Sequence, residues 1–199
     1  MTVPPPPEFS AVLLAAGRSI RMHRDKALLA SAGTVLWRRQ RDLLAAAGAA
    51  EIFLSARPDQ AWAEAAEGFA ATVRDAGPDA GPLGGIVAAL ERSRHGHLAV
   101  LAVDLPQLTP AWLVTLRGDC APGVGAVGRR GGFFEPLAAI YPRELLPLAR
   151  AALARRELSL QKLLAAGVAQ HLLRVREISA DEAPQFANWN EPSGPATGS

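Results

Sequence analysis

Cysteine, lysine and methionine are all scarce in this chain of 199 residues. Cys120 stands alone, so no disulfide forms within the chain and a zinc site of four cysteines is excluded. A lone thiol of this kind is expected as a small buried or half-buried side chain. Lysine occurs only at Lys26 and Lys162; the rest of the 21 basic residues are arginine, set against 19 acidic ones. The net charge of +2, despite a sequence pI near 9.2, gives no general case for nucleic acid as a partner. No apolar run approaches the ~20 residues needed to span a bilayer. The N-terminal residues carry Pro4, Pro5, Pro6 and Pro7 and no basic residue before an apolar run, unlike a secretory leader. These features lead to the expectation of a cytoplasmic protein that binds neither membrane nor nucleic acid.

Several motifs are missing too. There is no G-x-G-x-x-G fingerprint and no Walker A sequence, which argues against a nicotinamide dehydrogenase and a P-loop NTPase. No G-x-S-x-G elbow occurs and Ser19 has no identifiable base, which argues against covalent acyl chemistry. The histidines form no constellation, and His95 and His97 are expected at the surface. Trp37, Trp62 and Trp112 fall on predicted helices and read as packing residues; Trp189 alone sits inside a motif.

What is present is an ordinary globular composition, 49% hydrophobic and 20% charged, in a chain of one-domain length. Residues 10–192 are expected to form a single domain, with 1–9 and 193–199 disordered. Compact apolar runs at 10–16, 51–55, 71–74 and 97–103 read as buried strands. Amphipathic segments at 34–47, 59–67, 86–93, 110–117, 145–155 and 158–165 read as helices, with Thr109 as N-cap and Pro110 in the first turn. The stretch 77–85, rich in glycine and proline, reads as loop. Two strands at 123–128 and 133–141, a last strand at 171–175 and a helical turn at 181–187 complete the chain. Such alternation predicts a doubly wound α/β domain with a mostly parallel sheet. Ligands in such sheets bind outside the carboxyl ends of the strands, so three loops that follow predicted strands, 17–26, 75–85 and 104–106, carry the functional argument.

The first loop leaves its strand through small residues and supplies Arg18, Arg21, Arg24 and Lys26. Backbone N–H groups and clustered cations suit a polyphosphate, although charge alone fits a solvated basic loop as well. In the second loop Gly84 and Gly85 open a helix, and Asp75 is placed to accept hydrogen bonds; an ordinary turn with a surface aspartate is the alternative. In the third, Asp104 ends an apolar strand, where an unpaired carboxylate is costly to bury. A hard oxygen ligand there suits Mg²⁺, while a cap on the next turn is the simpler role. Near the C-terminus Asn188 and Asn190 offer paired amides on one side of an extended segment, or an Asx-turn.

The run Leu14-Ala15-Ala16-Gly17-Arg18-Ser19-Ile20-Arg21-Met22-His23-Arg24-Asp25-Lys26 closely resembles the signature of the nucleotidyltransferases related to molybdenum cofactor guanylyltransferase, usually Leu-Ala-Gly-Gly-x-Ser-x-Arg-Met-Gly-x-Asp-Lys. Ala16 and His23 replace glycines of that pattern. Gly81-Pro82-Leu83-Gly84-Gly85, the Asp-x-Pro ending at Asp104, Glu135-Pro136-Leu137 and Asn188-Trp189-Asn190-Glu191-Pro192 resemble further family segments, with Glu191 where threonine is usual. The resemblance implies an α/β enzyme that transfers GMP from GTP to the phosphate of Mo-molybdopterin. Lys26 and Arg21 would neutralise charge, and Asp104 would hold Mg²⁺ as the metal ligand. Leu14, Ala15, Ala16, Gly17, Ser55, Asp75, Pro82, Leu83 and Gly84, with Lys26 and Asp104, would bind the nucleotide, and Asn188 and Asn190 the acceptor. Molybdoenzymes or their chaperones would be the protein partners. The alternatives are a CTP-using or sugar- or polyol-phosphate-specific nucleotidyltransferase, and a weakened cofactor carrier.

Overall fold

Alternation along the strands sorts the apolar side chains into two layers. In β1 (Ser10–Leu14), Ala11 and Leu13 point to one face while Val12 and Leu14 point to the other; β6 (His97–Ala102) does the same with Ala99 and Leu101 against Leu98 and Val100. The computed structural model describes residues 7–17, 25–31, 33–74 and 80–187. β1 lies between β6 and β4 (Glu51–Ser55), parallel to both, and β4 pairs in parallel with β5 (Ala71–Val73). Strands covered on both faces need no polar face, which explains their unbroken apolar runs.

On the other side of β6 the chain departs from pure parallel winding. β9 (Ala138–Pro142) runs antiparallel to β6 and to β7 (Gly125–Arg130), while β10 (Leu173–Glu177) is parallel to β7. The order is β10-β7-β9-β6-β1-β4-β5, with β8 (Phe133–Phe134) pairing β7; a separate ribbon joins β2 (Ala30–Ser31) to β3 (Thr34–Val35). α1 (Leu36–Ala46) and α3 (Pro110–Asp119) cover one face, whereas α2 (Gly81–Arg92), α4 (Leu146–Ala154) and α5 (Leu160–Ala169) cover the other. The expected doubly wound, mostly parallel sheet is the fold observed. Phe9 is buried, and its carbonyl accepts a hydrogen bond from Ala50 N.

Several local expectations need correction. The helix starting at 86 begins instead at Gly81, so Pro82, Leu83, Gly84 and Gly85 form its first turns rather than a loop. Pro82 at the start is pre-set for helical φ. Gly85 is required there by close packing: a Cβ would overlap Ser55 Oγ and come within 2.9 Å of Leu14 Cδ2. The segment 59–67 makes only a 3₁₀ turn, Ala61–Glu64, because Gln60 turns its side chain back onto Arg57 N. Pro136 breaks the run 133–141 into β8 and β9. Thr109 is the N-cap residue of α3 with Pro110 in the first turn, as expected, but its hydroxyl makes no capping bond and donates to Gln185 Oε1. His97 is buried rather than exposed, with Nε2 against the carbonyls of Ala121 and Val124 at 3.0 and 3.1 Å.

The amino ends of β1 and β4 are joined by a buried polar network. Ser10 Oγ donates to Glu51 Oε1 at 2.6 Å, and Arg94 donates to the same carboxylate through N at 2.8 Å and Nε at 2.9 Å. Burial pushes the Glu51 carboxyl up, but the hydrogen bonds from Arg94 and Ser10 and the Arg94 charge outweigh it, leaving the group below its usual range.

Candidate active site

The carboxyl ends of β6, β1 and β4 lie side by side, about 4.8 Å apart as in any sheet, and their exits are stitched together. Val103 N donates to Leu14 O at 3.1 Å and Ala15 N donates to Ser55 O at 2.9 Å. Leu14 and Ala15 are therefore main-chain elements of the edge, with buried side chains, while Ala16 is half-buried and Gly17 exposed. A Cβ at Gly17 would meet nothing within 4 Å among the described residues, so the backbone there is open to close approach.

Lys26 and Asp104 meet on this edge. Lys26 Nζ donates to Asp104 Oδ2 at 3.3 Å, and each side chain is about a quarter exposed. Lys26 opens a 3₁₀ turn, Lys26–Leu28, whose N-cap Asp25 accepts from Ala27 N. Asp104 follows β6, in a loop fixed from behind by α1: Gln40 Nε2 donates to Leu105 O at 2.7 Å and Arg39 Nε to Pro106 O at 3.1 Å. A pair assembled across 78 residues of sequence is thus held from two separate elements.

Ser55 occupies a different place from the one expected of a residue that touches base or ribose. It is only 1% exposed, with its hydroxyl against Gly85 of α2. It forms the floor under the opening of α2. Leu83 and Gly84 are buried in the same layer, and Pro82 is exposed at the helix start. Arg21, Asp75, Asn188 and Asn190 lie outside the described residues.

Two groups that the residue pattern alone did not single out also reach this edge. The first follows β4: Gln60 Nε2 donates to Ala15 O at 2.9 Å and to Asp25 Oδ2 at 2.6 Å, Trp62 Nε1 donates to Asp25 Oδ2 at 2.6 Å, and Arg57 Nη1 donates to the carbonyls of Ala16 and Gly17 at 2.8 and 3.0 Å. The signal for them was available, since this segment leaves a strand that ends on the same edge. The second is Glu135, just before β9. Ala102 N donates to Leu137 O at 2.9 Å, which brings the turn 135–137 beside the end of β6. Burial pushes the Glu135 carboxyl up and the Arg130 guanidinium, 3.3 Å away, partly offsets this. Tyr141 Oη, on a fully buried ring, donates to Pro136 O at 2.9 Å and fixes the turn.

An edge that presents an open backbone, a lysine–aspartate pair and a helix start has the parts needed to hold a phosphate chain. Comparisons with known proteins agree with that chemistry. The family described as MobA-like NTP transferase domain matches residues 11–175. A probable molybdenum cofactor guanylyltransferase of Opitutus terrae is 41% identical over 187 residues, covering 92% of this chain and 91% of its own. A molybdenum cofactor guanylyltransferase of Pseudomonas putida is 34% identical over 190 residues, covering 94% and 95%. The crystal structure of molybdopterin-guanine dinucleotide biosynthesis protein A from Archaeoglobus fulgidus superposes with a TM-score of 0.72 at 20% identity, covering 92% and 93%, and shares the fold.

Proposed function

The chain belongs to the MobA-like NTP transferase domain family, and on that footing we propose that it transfers GMP from GTP to the phosphate of Mo-molybdopterin, releasing pyrophosphate. The observation that carries this reading is the Lys26–Asp104 pair at the shared edge of β1 and β6. Homologues named molybdenum cofactor guanylyltransferase, alike over nearly the whole chain, support GTP as donor and the pterin phosphate as acceptor.

The acceptor phosphate is already ionised and needs no strong base. Catalysis then rests on alignment and on neutralising the charge that builds as pyrophosphate departs. Lys26 carries its ammonium on the edge where the triphosphate would lie, with Arg21 as its assigned helper. Residues 14–17, the start of α2 and Asp75 would hold the nucleotide, and Asn188 and Asn190 the acceptor. A cytoplasmic location, where GTP is at hand, goes with this reading, and molybdoenzymes or their chaperones would receive the product.

Magnesium fits the donor set. Among the described residues no group of three or more His, Cys, Asp or Glu could form a closed metal cage. Mg²⁺ does not need one, since it is commonly held by one or two carboxylates together with substrate phosphates and water. Asp104, a partly exposed carboxylate on the phosphate edge, is the residue that would hold it. When bound, the ion would supply positive charge against the phosphates.

The test is pyrophosphate release by purified protein with Mg²⁺ and intact molybdenum cofactor, comparing GTP with CTP, ATP and UTP. Release with GTP alone supports the reading. Preference for another nucleotide overturns the base assignment, and no release with any of the four, with the acceptor shown intact, overturns the pterin phosphate as acceptor and favours another acceptor or a cofactor carrier.

A further inference from the structure

Asp25 precedes Lys26 in sequence, yet its carboxylate is turned to neutral donors. Oδ1 accepts from Ala27 N at 3.1 Å, and Oδ2 accepts from both Gln60 Nε2 and Trp62 Nε1 at 2.6 Å. The Lys26 ammonium is paired with Asp104 instead. Gln60 is fully engaged: its second amide hydrogen goes to Ala15 O and its Oε1 accepts from Arg57 N at 2.6 Å, and the residue is 4% exposed. One amide therefore ties the exit of β1 to the turn that carries Lys26. Trp62 is oriented independently, by stacking on Trp37 with centroids 6.1 Å apart and planes at 21°.

We propose that Gln60 and Trp62 are positioning residues for nucleotidyl transfer, acting through Asp25 to keep its carboxylate away from the adjacent lysine. The physical reason is charge segregation. A carboxylate that already holds three N–H donors, two of them on Oδ2 at 2.6 Å, has most of its acceptor capacity and charge taken up and pulls less on an ammonium. A carboxylate stripped of those donors beside a lysine captures it. Lys26 would then be diverted from phosphate charge without leaving the protein. The same amide also fixes the spacing between the open backbone of Ala15 and the Lys26 turn, and misplacement of that order is costly to a reaction that relies on alignment.

This inference rests on the proposed nucleotidyl transfer, and its test separates the two. Steady-state pyrophosphate release and Mg-GTP binding would be measured on the full chain for wild type, Trp62→Phe, Gln60→Glu and the double variant Gln60→Glu/Asp25→Asn. Trp62→Phe keeps an aromatic ring over Trp37 but loses the N–H together with part of the indole, and its kcat is expected to fall about tenfold with KM for the nucleotide little changed. Gln60→Glu places a second carboxylate against Asp25, with an expected fall in kcat/KM of about a hundredfold. The double variant restores an amide–carboxylate pair with its polarity reversed and is expected to recover part of that loss, which a merely structural contact would not do. If both single variants keep kcat and KM within about twofold of wild type, or if the double variant is no better than Gln60→Glu alone, the positioning role is wrong. If wild type works best with another nucleotide, the variants are judged with that one. A wild type that binds Mg-GTP without turning it over overturns the transferase proposal alone, and the clamp is then supported or overturned by whether the variants weaken binding. A wild type that binds no nucleotide overturns both.

Discussion

Lys26 and Asp104 form an ion pair at 3.3 Å that joins the turn after the first loop to the end of β6. Each is the other's counter-charge, so removing either changes more than one charge at the site. Lys26→Ala is expected to lower kcat for pyrophosphate release by about a hundredfold or more, the scale of losing a preorganised stabiliser of developing charge. Asp104→Asn is expected to lose most activity, and the double variant to be no worse than the poorer single one. Additive losses in a double-variant kinetic cycle would show that the two act separately.

Gly85 is an equally sharp test of the floor under α2. The Cβ introduced by Gly85→Ala has to displace Ser55 Oγ and Leu14 Cδ2, both packed at the end of their strands. The variant is expected to lose about 1–3 kcal/mol of stability and to bind nucleotide less tightly. Combining it with Ser55→Ala should recover part of the stability, as read from urea denaturation midpoints.

Acid sensitivity is expected from the opposite edge of the sheet. The Glu51 carboxyl is held below its ordinary value of 4.5, despite the upward push of burial, by its bonds to Arg94 and Ser10. A depressed folded-state pKa contributes stability above the unfolded value, and that contribution is lost as pH falls through the folded-state pKa. Glu51→Gln is therefore expected to cost about 1–3 kcal/mol at pH 7 and progressively less below pH ~4.5. Parallel stability–pH curves for wild type and variant would refute this.

Thiol reagents should spare the protein. Burial pushes the Cys120 thiol up to about 12, the Asp119 charge adds to this and Arg174 partly opposes it, while Sγ donates to Leu116 O. At pH 8 the thiolate is scarce, so little alkylation is expected in the folded state, and Cys120→Ala should keep wild-type kcat. Rapid labelling without unfolding would contradict the burial seen here.

The sheet was legible from its apolar runs because strands covered on both faces carry no polar interruptions; β4 was read to the residue, and β1 and β6 to within two. The start of α2 was not, because Gly81, Gly84 and Gly85 are poor helix formers, and the need for glycine at 85 comes from Ser55 and Leu14 across the layer. His97 looked like a surface residue at a strand start, and its burial depends on the distant turn 121–124. At the site, Lys26 and Asp104 could each be singled out, but their pairing is a tertiary fact. Gln60 and Trp62 were hidden for a related reason: an alanine-rich stretch suggested a helix, while the hydrogen bonds that override it come from Asp25 and Ala15.

The reversed direction of β9 gives the two halves of this edge different freedoms to change. The half built by β1, β4 and β6 is locked by parallel pairing and by cross-strand bonds at every exit. The other half is reached by an excursion, 129–137, that leaves β7, forms the short β8 hairpin and returns through the turn before β9, presenting Phe133 at 70% exposure. The base of that excursion is anchored by Glu135 N on Gly128 O, Ala102 N on Leu137 O and Trp112 Nε1 on Ala138 O, so its tip, 131–133, is the part expected to accept change while Lys26 and Asp104 stay in place. Recombinants that trade this stretch between homologues should therefore keep the same donor nucleotide, and any shift in what they modify would trace to the grafted tip.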